Sequence, residues 1–175
     1  MSDIDFLYAS RMAKVGYICG VWANFEAIVA FAIWYMLKLD METGKIVTGG
    51  LDMRPRANMA VTLARHLKAP AELTQALIDA RKALDDGLEK RRNLVVHGTQ
   101  SLMEDPSLGI EFVMHRGKNR GPQIFTDAAL DQLTNDLTDA YYALEAVVKR
   151  HFRDAESIAR KMRSAASETD SSAGS

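Results

Sequence analysis

Apolar residues recur at three- and four-residue steps over most of this chain, the period of a helix with one buried face. Over residues 5–39 the series runs Leu7, Met12, Val15, Ile18, Val21, Phe25, Ile28, Ala32 and Met36. Between positions 14 and 38 nearly every residue is apolar. The first helix is therefore predicted to be hydrophobic all round, a central helix wrapped by others. A membrane span has the same signature, but Asn24 and Glu26 stand near its middle. A carboxylate at bilayer depth costs about 2.5 to 3.5 kcal/mol on insertion scales, so the expectation is a core helix and no membrane partner.

The pattern then changes several times. Residues 40–50 read as a linker, with Thr43-Gly44 and Gly49-Gly50 as turn signals. A second helix is predicted from about Pro55 to Lys68, facing inward through Ala57, Ala60, Val61, Ala64 and Leu67, and Pro70 ends it. A third is predicted over 71–97 as one piece, on a stripe of Leu73, Leu77, Ala80, Leu84, Leu88 and Val95. After Gly98 the period becomes two, and segments 99–103 and 110–115 read as the strands of a hairpin. A basic, glycine-containing loop fills 116–122. Thr126 is a good N-cap for a last helix over 127–162, built on Leu130, Leu133, Leu137, Tyr141, Leu144, Val148 and Phe152. From Ala165 the chain is too polar to order itself by burial. The fold class predicted is all-α. It is an up-and-down bundle of about four main helices with a small β-hairpin before the last. One domain covers 1–164, and a disordered tail covers 165–175.

Charge narrows the function classes. Lys and Arg number 22 against 23 Asp and Glu, a net charge of -1. No global field draws the chain to nucleic acid, so any RNA contact must come from a local patch. The single cysteine, Cys19, excludes an intrachain disulfide framework, and its apolar neighbours suit an inert thiol in a reducing cytoplasm. The first residues lack the basic start of a signal peptide, and a cytoplasmic location is expected. His66, His97, His115 and His151 show no metal-ligand spacing. No Walker loop, dinucleotide glycine pattern or serine or cysteine nucleophile constellation is present. No metal and no cofactor are expected.

The stretch with chemistry in it is Arg91-Arg92-Asn93-Leu94-Val95-Val96-His97-Gly98. Gly98 reads as a helix stop that tolerates a left-handed backbone. His97 falls in the last turn, where the helix dipole favours an imidazolium. A guanidinium and a titratable imidazole near each other can bind a phosphate and move a proton. Arg91 falls on the apolar stripe between Leu88 and Val95, so it is aimed inward and wants a carboxylate, for which Glu26 is the candidate. The alternative places Glu26 on a narrow exposed face. Arg92 and His97 are about 140° apart on an ideal helix, whereas Asn93 and His97 form an i,i+4 pair on one face. Lys118 and Arg120 belong either to a solvated turn or to a lip that contacts phosphate beside His97.

Arg92-Asn93-x-x-x-His97-Gly98, a gap of four from Arg92 to His97 within a helical chain, resembles the signature of the HEPN superfamily: an arginine, a polar follower, a short gap and a histidine. Arg91 also fits, with a gap one residue longer. The Trp22-Ala23-x-Phe25-Glu26 pattern is similar to the first helix of bacterial HEPN-like proteins, and a hairpin after the motif matches the same expectation. The resemblance implies a metal-independent ribonuclease with Arg92, Asn93 and His97 catalytic, Arg91, Lys118 and Arg120 binding substrate, and Glu26 supporting them. It implies a homodimer in which two motifs face one cleft, which would overcome the angle between Arg92 and His97. It also implies a toxin-like or defence-like role, with an antitoxin protein as partner. The superfamily includes non-cleaving members that bind nucleotides, RNA or proteins, and a module of that kind is the alternative.

Overall fold

The elements of the computed structural model, which describes residues 3–103, 105, 108–114 and 121–172, begin with the predicted core helix. Helix α1 spans Asp3–Leu37, and Ile18, Trp22, Phe25, Val29, Ala32 and Ile33 along it are buried. Helices α3 (Met53–His66), α4 (Ala71–Asp85), α5 (Leu88–His97) and α6 (Asp127–Ser172) pack around it into a single hydrophobic core. The protein is broadly all-α. One added helix, one break and one added strand change the detail.

Residues 40–50 are not a linker. They hold α2 (Met41–Thr48). Asp40 caps it, accepting from the backbone N–H groups of Glu42 and Thr43 at 3.0 and 2.9 Å. Gly44 lies flat on Trp34, where a β-carbon would come within 2.4 Å of the indole, and Trp34 Nε1 donates to Thr48 Oγ1 at 3.0 Å. The glycine that reads as a turn signal is a contact surface. Helix α2 doubles back along α1, and Arg56 just beyond it donates to the carbonyls of Glu26, Thr48 and Leu51.

That extra leg reverses the expected relation of the first and last helices. Four alternating helices would set them antiparallel. Here Arg11 meets Asp127 and Lys14 meets Asp131, and farther along Asn24 and Phe31 share a groove with Tyr141 and Val148. The partners advance together, so α1 and α6 run parallel. The predicted single helix over 71–97 is broken at Gly87, which takes φ 98°, a left-handed conformation that favours glycine.

The hairpin is a three-stranded antiparallel sheet in the order β1 (Thr99–Leu102), β2 (Ile110–Met114), β3 (Gly121–Phe125). Phe112 pairs with Gln100 on one side and Gln123 on the other. Its ring meets Phe125 edge-on, with centroids 5.6 Å apart, and both are buried together with Ile110. Strand β3 starts within the stretch expected to be a basic loop, 116–122, and extends through 123–125, for which the sequence pattern predicts no element. Helix α6 continues to Ser172, past Ala165, where the sequence predicts an unordered tail.

One ion pair ties the ends of this architecture together. Arg11, 3% exposed, donates from Nε and Nη2 to the two oxygens of Asp127 at 2.9 and 2.8 Å, and from Nη1 to the Gly109 carbonyl at 3.0 Å. It thereby joins α1 to the start of α6 and to the approach to β2. The hydrogen bond from Arg11 holds the Asp127 carboxyl below its ordinary range, against the opposing effect of burial. Replacing Arg11 with Met is expected to cost about 2 kcal/mol. That is less than for a fully buried pair, because the Asp127 side chain is 46% exposed. Because the folded carboxyl titrates low, this contribution is complete above the ordinary aspartate range near pH 4. It is lost as pH falls through the lowered folded value. Urea unfolding at stepped pH checks both points, since the Arg11→Met chain should lose less stability on acidification than the parent.

Candidate functional site

Helix α5 is short, and three residues anchor it: Leu88, Leu94 and Val95 are buried against the bundle. Gly87 frees its start from the axis of α4. Its end is fixed by Gly98, whose N–H donates to the Leu94 carbonyl at 2.9 Å. Gly98 takes φ -71° and ψ 142°, an extended conformation open to any residue. Glycine is required there for space, since a β-carbon would stand 2.4 Å from the Leu94 oxygen and 3.1 Å from the Phe112 β-carbon. The expectation of a left-handed stop is corrected: Gly98 lets the sheet press against the helix end immediately after His97.

Between these anchors Arg92, Asn93 and His97 come together within one chain. Arg92 Nη1 donates to Asn93 Oδ1 at 2.9 Å and lies 3.2 Å from His97 Nε2. The angle between Arg92 and His97 on the helix suggested that one chain would hold them apart. The length of the arginine side chain removes that difficulty. The guanidinium lies over the Trp22 ring, 4.9 Å from its centroid, a cation–π position. Trp22 is buried and packs edge-on against Phe25, so the platform is rigid. Trp22 marks the site by its packing, a role the helical pattern alone does not reveal.

The electrostatics of this cluster are unusual for the surface. Among the described residues Arg92 has no carboxylate partner, and its Nε is buried with no hydrogen bond. Arg92 and Asn93 are half-buried, while His97 is exposed. Guanidinium is only a donor, so the 3.2 Å contact is a hydrogen bond when His97 Nε2 presents its lone pair. The cluster therefore offers an uncompensated cation, an amide and a basic nitrogen, side by side at the surface.

The remaining predicted residues do not join it. Arg91 is half-exposed and pairs across to α6, with Nη2 2.7 Å from Asp136 Oδ2. Burial would raise the Asp136 carboxyl, but hydrogen bonds from Gln132 and Arg91 outweigh it and hold it below its ordinary range. Glu26 is half-buried and makes no side-chain hydrogen bond or ion pair among the described residues, so the Arg91–Glu26 pair is not formed. Gly87 breaks the helix before Arg91, so Arg91 leaves the apolar stripe of α4. Lys118 and Arg120 lie outside the described residues. Cys19 is half-buried against the core. No group of three metal-ligating side chains occurs among the described residues.

A second polar ladder, which the helical repeat hides, runs along α6. Tyr141 donates to Glu145, which also pairs with Lys149 at 2.8 Å. The hydrogen bond to this carboxylate pushes the Tyr141 hydroxyl up to about 12. Comparison of the chain with protein-family models, with curated proteins and with solved structures finds no match.

The tautomer of His97 is measurable. Nitrogen-15 NMR of the neutral ring should show the Nδ1–H form, and Arg92→Ala should move it toward Nε2–H. A wild-type ring already in the Nε2–H form would contradict the Arg92 contact.

Proposed function

We propose that this chain is a HEPN-like, metal-independent ribonuclease whose site is the Arg92–Asn93–His97 set of a single chain. The observation that carries the reading is Arg92: a guanidinium without a carboxylate, seated on Trp22 and touching the basic nitrogen of an exposed histidine. A phosphodiester supplies the missing negative charge. RNA also carries its own nucleophile, so the protein needs a proton acceptor and a cation for the phosphorane.

In this mechanism Arg92 turns from His97 to the non-bridging phosphate oxygens, and His97 Nε2 takes the proton of the 2′-hydroxyl. The 2′-oxygen attacks phosphorus, and the bond to the 5′-oxygen breaks. That oxygen leaves with the proton His97 acquired, giving a 2′,3′-cyclic phosphate and a 5′-hydroxyl. Asn93 orients the phosphate or the guanidinium. Lys118 and Arg120 are assigned to flanking phosphates. Arg91, engaged with Asp136, is assigned the lesser role of a nearby positive charge. The set is complete in one chain, so cleavage needs no shared cleft. The homodimer, the antitoxin partner and the toxin-like or defence-like role in the cytoplasm are further parts of this reading, supported by the resemblance alone.

One observation favours a second reading. Arg92 is held by Asn93, His97 and Trp22 at once, as a structural cap would be. In that case the chain is a non-catalytic module that binds a nucleotide, RNA or a protein.

Cleavage of a mixed RNA substrate in chelator separates the two. The ribonuclease reading predicts cyclic phosphate ends, a loss of about 10²–10⁴-fold in His97→Ala and about 10²–10³-fold in Arg92→Ala, with both variants folded. Ala at Lys118 and Arg120 should weaken substrate binding and flatten its salt dependence. Absence of cleavage by the folded parent chain supports the binding module.

A further inference from the structure

The Tyr141–Glu145–Lys149 ladder of α6 lines a groove against α1 of about 410 Å³, within the range of small-molecule sites. The rest of the lining is mostly apolar: Ala27, Ile28 and Phe31 of α1 and Val148 of α6. Arg11 is level with Asp127 and Lys14 with Asp131. The same offset puts Asn24 level with Tyr141 and Ile28 level with Glu145. Lys149 stands one turn farther along, about 6 Å. The polar groups are therefore ordered along the groove: an amide, then a carboxylate, then an ammonium.

The carboxylate is only half used. Tyr141 and Lys149 both reach Glu145 Oε1, the lysine at 2.8 Å, and Oε2 has no partner among the described residues. The Glu145 side chain is 17% exposed, and a shielded oxygen without a donor costs stability. Hydrogen bonds from Lys149 and Tyr141 hold its carboxyl below the ordinary range, so it is charged at neutral pH. Lys149 is exposed and keeps free donors. Asn24 is exposed and makes no side-chain hydrogen bond among the described residues.

This pattern selects an occupant by charge. An amine alone would meet Lys149, and an acid alone would meet Glu145. A molecule that carries both charges on one carbon meets each with its opposite. We infer that the groove binds an apolar α-amino acid, its ammonium on Glu145 Oε2 and Asn24 Oδ1, its carboxylate on Lys149 Nζ, and its side chain against Ile28, Phe31 and Val148. The site is separate from the Arg92 set. Asn24 follows Trp22 by two residues, about 200° around α1, so the groove opens away from the ring that carries Arg92.

Calorimetric titration of the full chain with L-phenylalanine tests this, and saturable one-to-one binding is expected. Phenylalaninamide lacks the carboxylate, hydrocinnamate lacks the ammonium, and glycine lacks the apolar chain. Each should bind at least about tenfold more weakly. Lys149→Met should weaken L-phenylalanine by about tenfold without weakening phenylalaninamide. Ala27→Trp, which fills the groove, should abolish binding with an unchanged helical spectrum, and His97→Ala should leave it intact. No saturable binding by the folded parent, in heat or in amide chemical shifts, overturns the inference. Phenylalaninamide or hydrocinnamate binding as tightly as L-phenylalanine overturns it in favour of a simple amine or acid. Binding that survives Ala27→Trp overturns it by placing the amino acid elsewhere.

Discussion

A helix that is apolar on most of its circumference cannot stand alone in water, and the rest of this structure follows from covering α1. Ile18, Phe25, Val29, Ala32 and Ile33 are fully enclosed. Full burial of a large aliphatic or aromatic side chain contributes about 1.5–3 kcal/mol. The other helices are amphipathic and supply the cover. Hydrophobic burial has no direction, so it does not say where each helix should sit along α1. Charged groups do that. Arg11 fixes the start of α6 and the approach to β2, and Arg56 fixes the turn from α2 to α3 against α1 by donating to the carbonyls of Thr48, Leu51 and Glu26.

The same logic makes Arg92 stand out. Arg11, Arg54, Arg81, Arg91 and Arg150 each meet a carboxylate, and Arg56 meets carbonyls. Arg92 meets an aromatic face, an amide and an imidazole. None of these neutralises it. A positive charge kept half-buried and uncompensated costs stability, and a site that receives an anion gives that cost a purpose. The packing of Gly98 against Leu94 and Phe112 keeps the sheet close to the helix end, so the imidazole has a fixed frame.

How much of this the sequence carries depends on the kind of force involved. The three-four repeats locate α1, α3 and α6 because burial imposes them residue by residue. The alternation of Ile110, Phe112 and Met114 locates β2 for the same reason. Helix α2 was missed because its stability comes from contact with Trp34 and from Asp40, not from an apolar stripe. The break at Gly87 was missed because the stripe runs through it, although Asp85-Asp86-Gly87 is an ordinary helix ending. That miss passed on to the site. It put Arg91 opposite Glu26, whereas the reset helix gives Arg91 to Asp136. Arg92, Asn93 and His97 were legible as a short motif. Their contact was not, since an angle between α-carbons says little about where a long guanidinium ends.

The function of this chain depends on whether the Arg92–Asn93–His97 set receives a phosphate. The most direct measurement is an NMR titration of the full chain with a 2′,3′-cyclic nucleotide, reading the side-chain nitrogens of Arg92 and His97. A phosphate site should show saturable shifts at both residues, with the Arg92–His97 contact opening as the nucleotide binds. Side-chain signals that stay unmoved to saturating nucleotide, in a chain that remains folded, would contradict it and leave the set as a structural cap on α5.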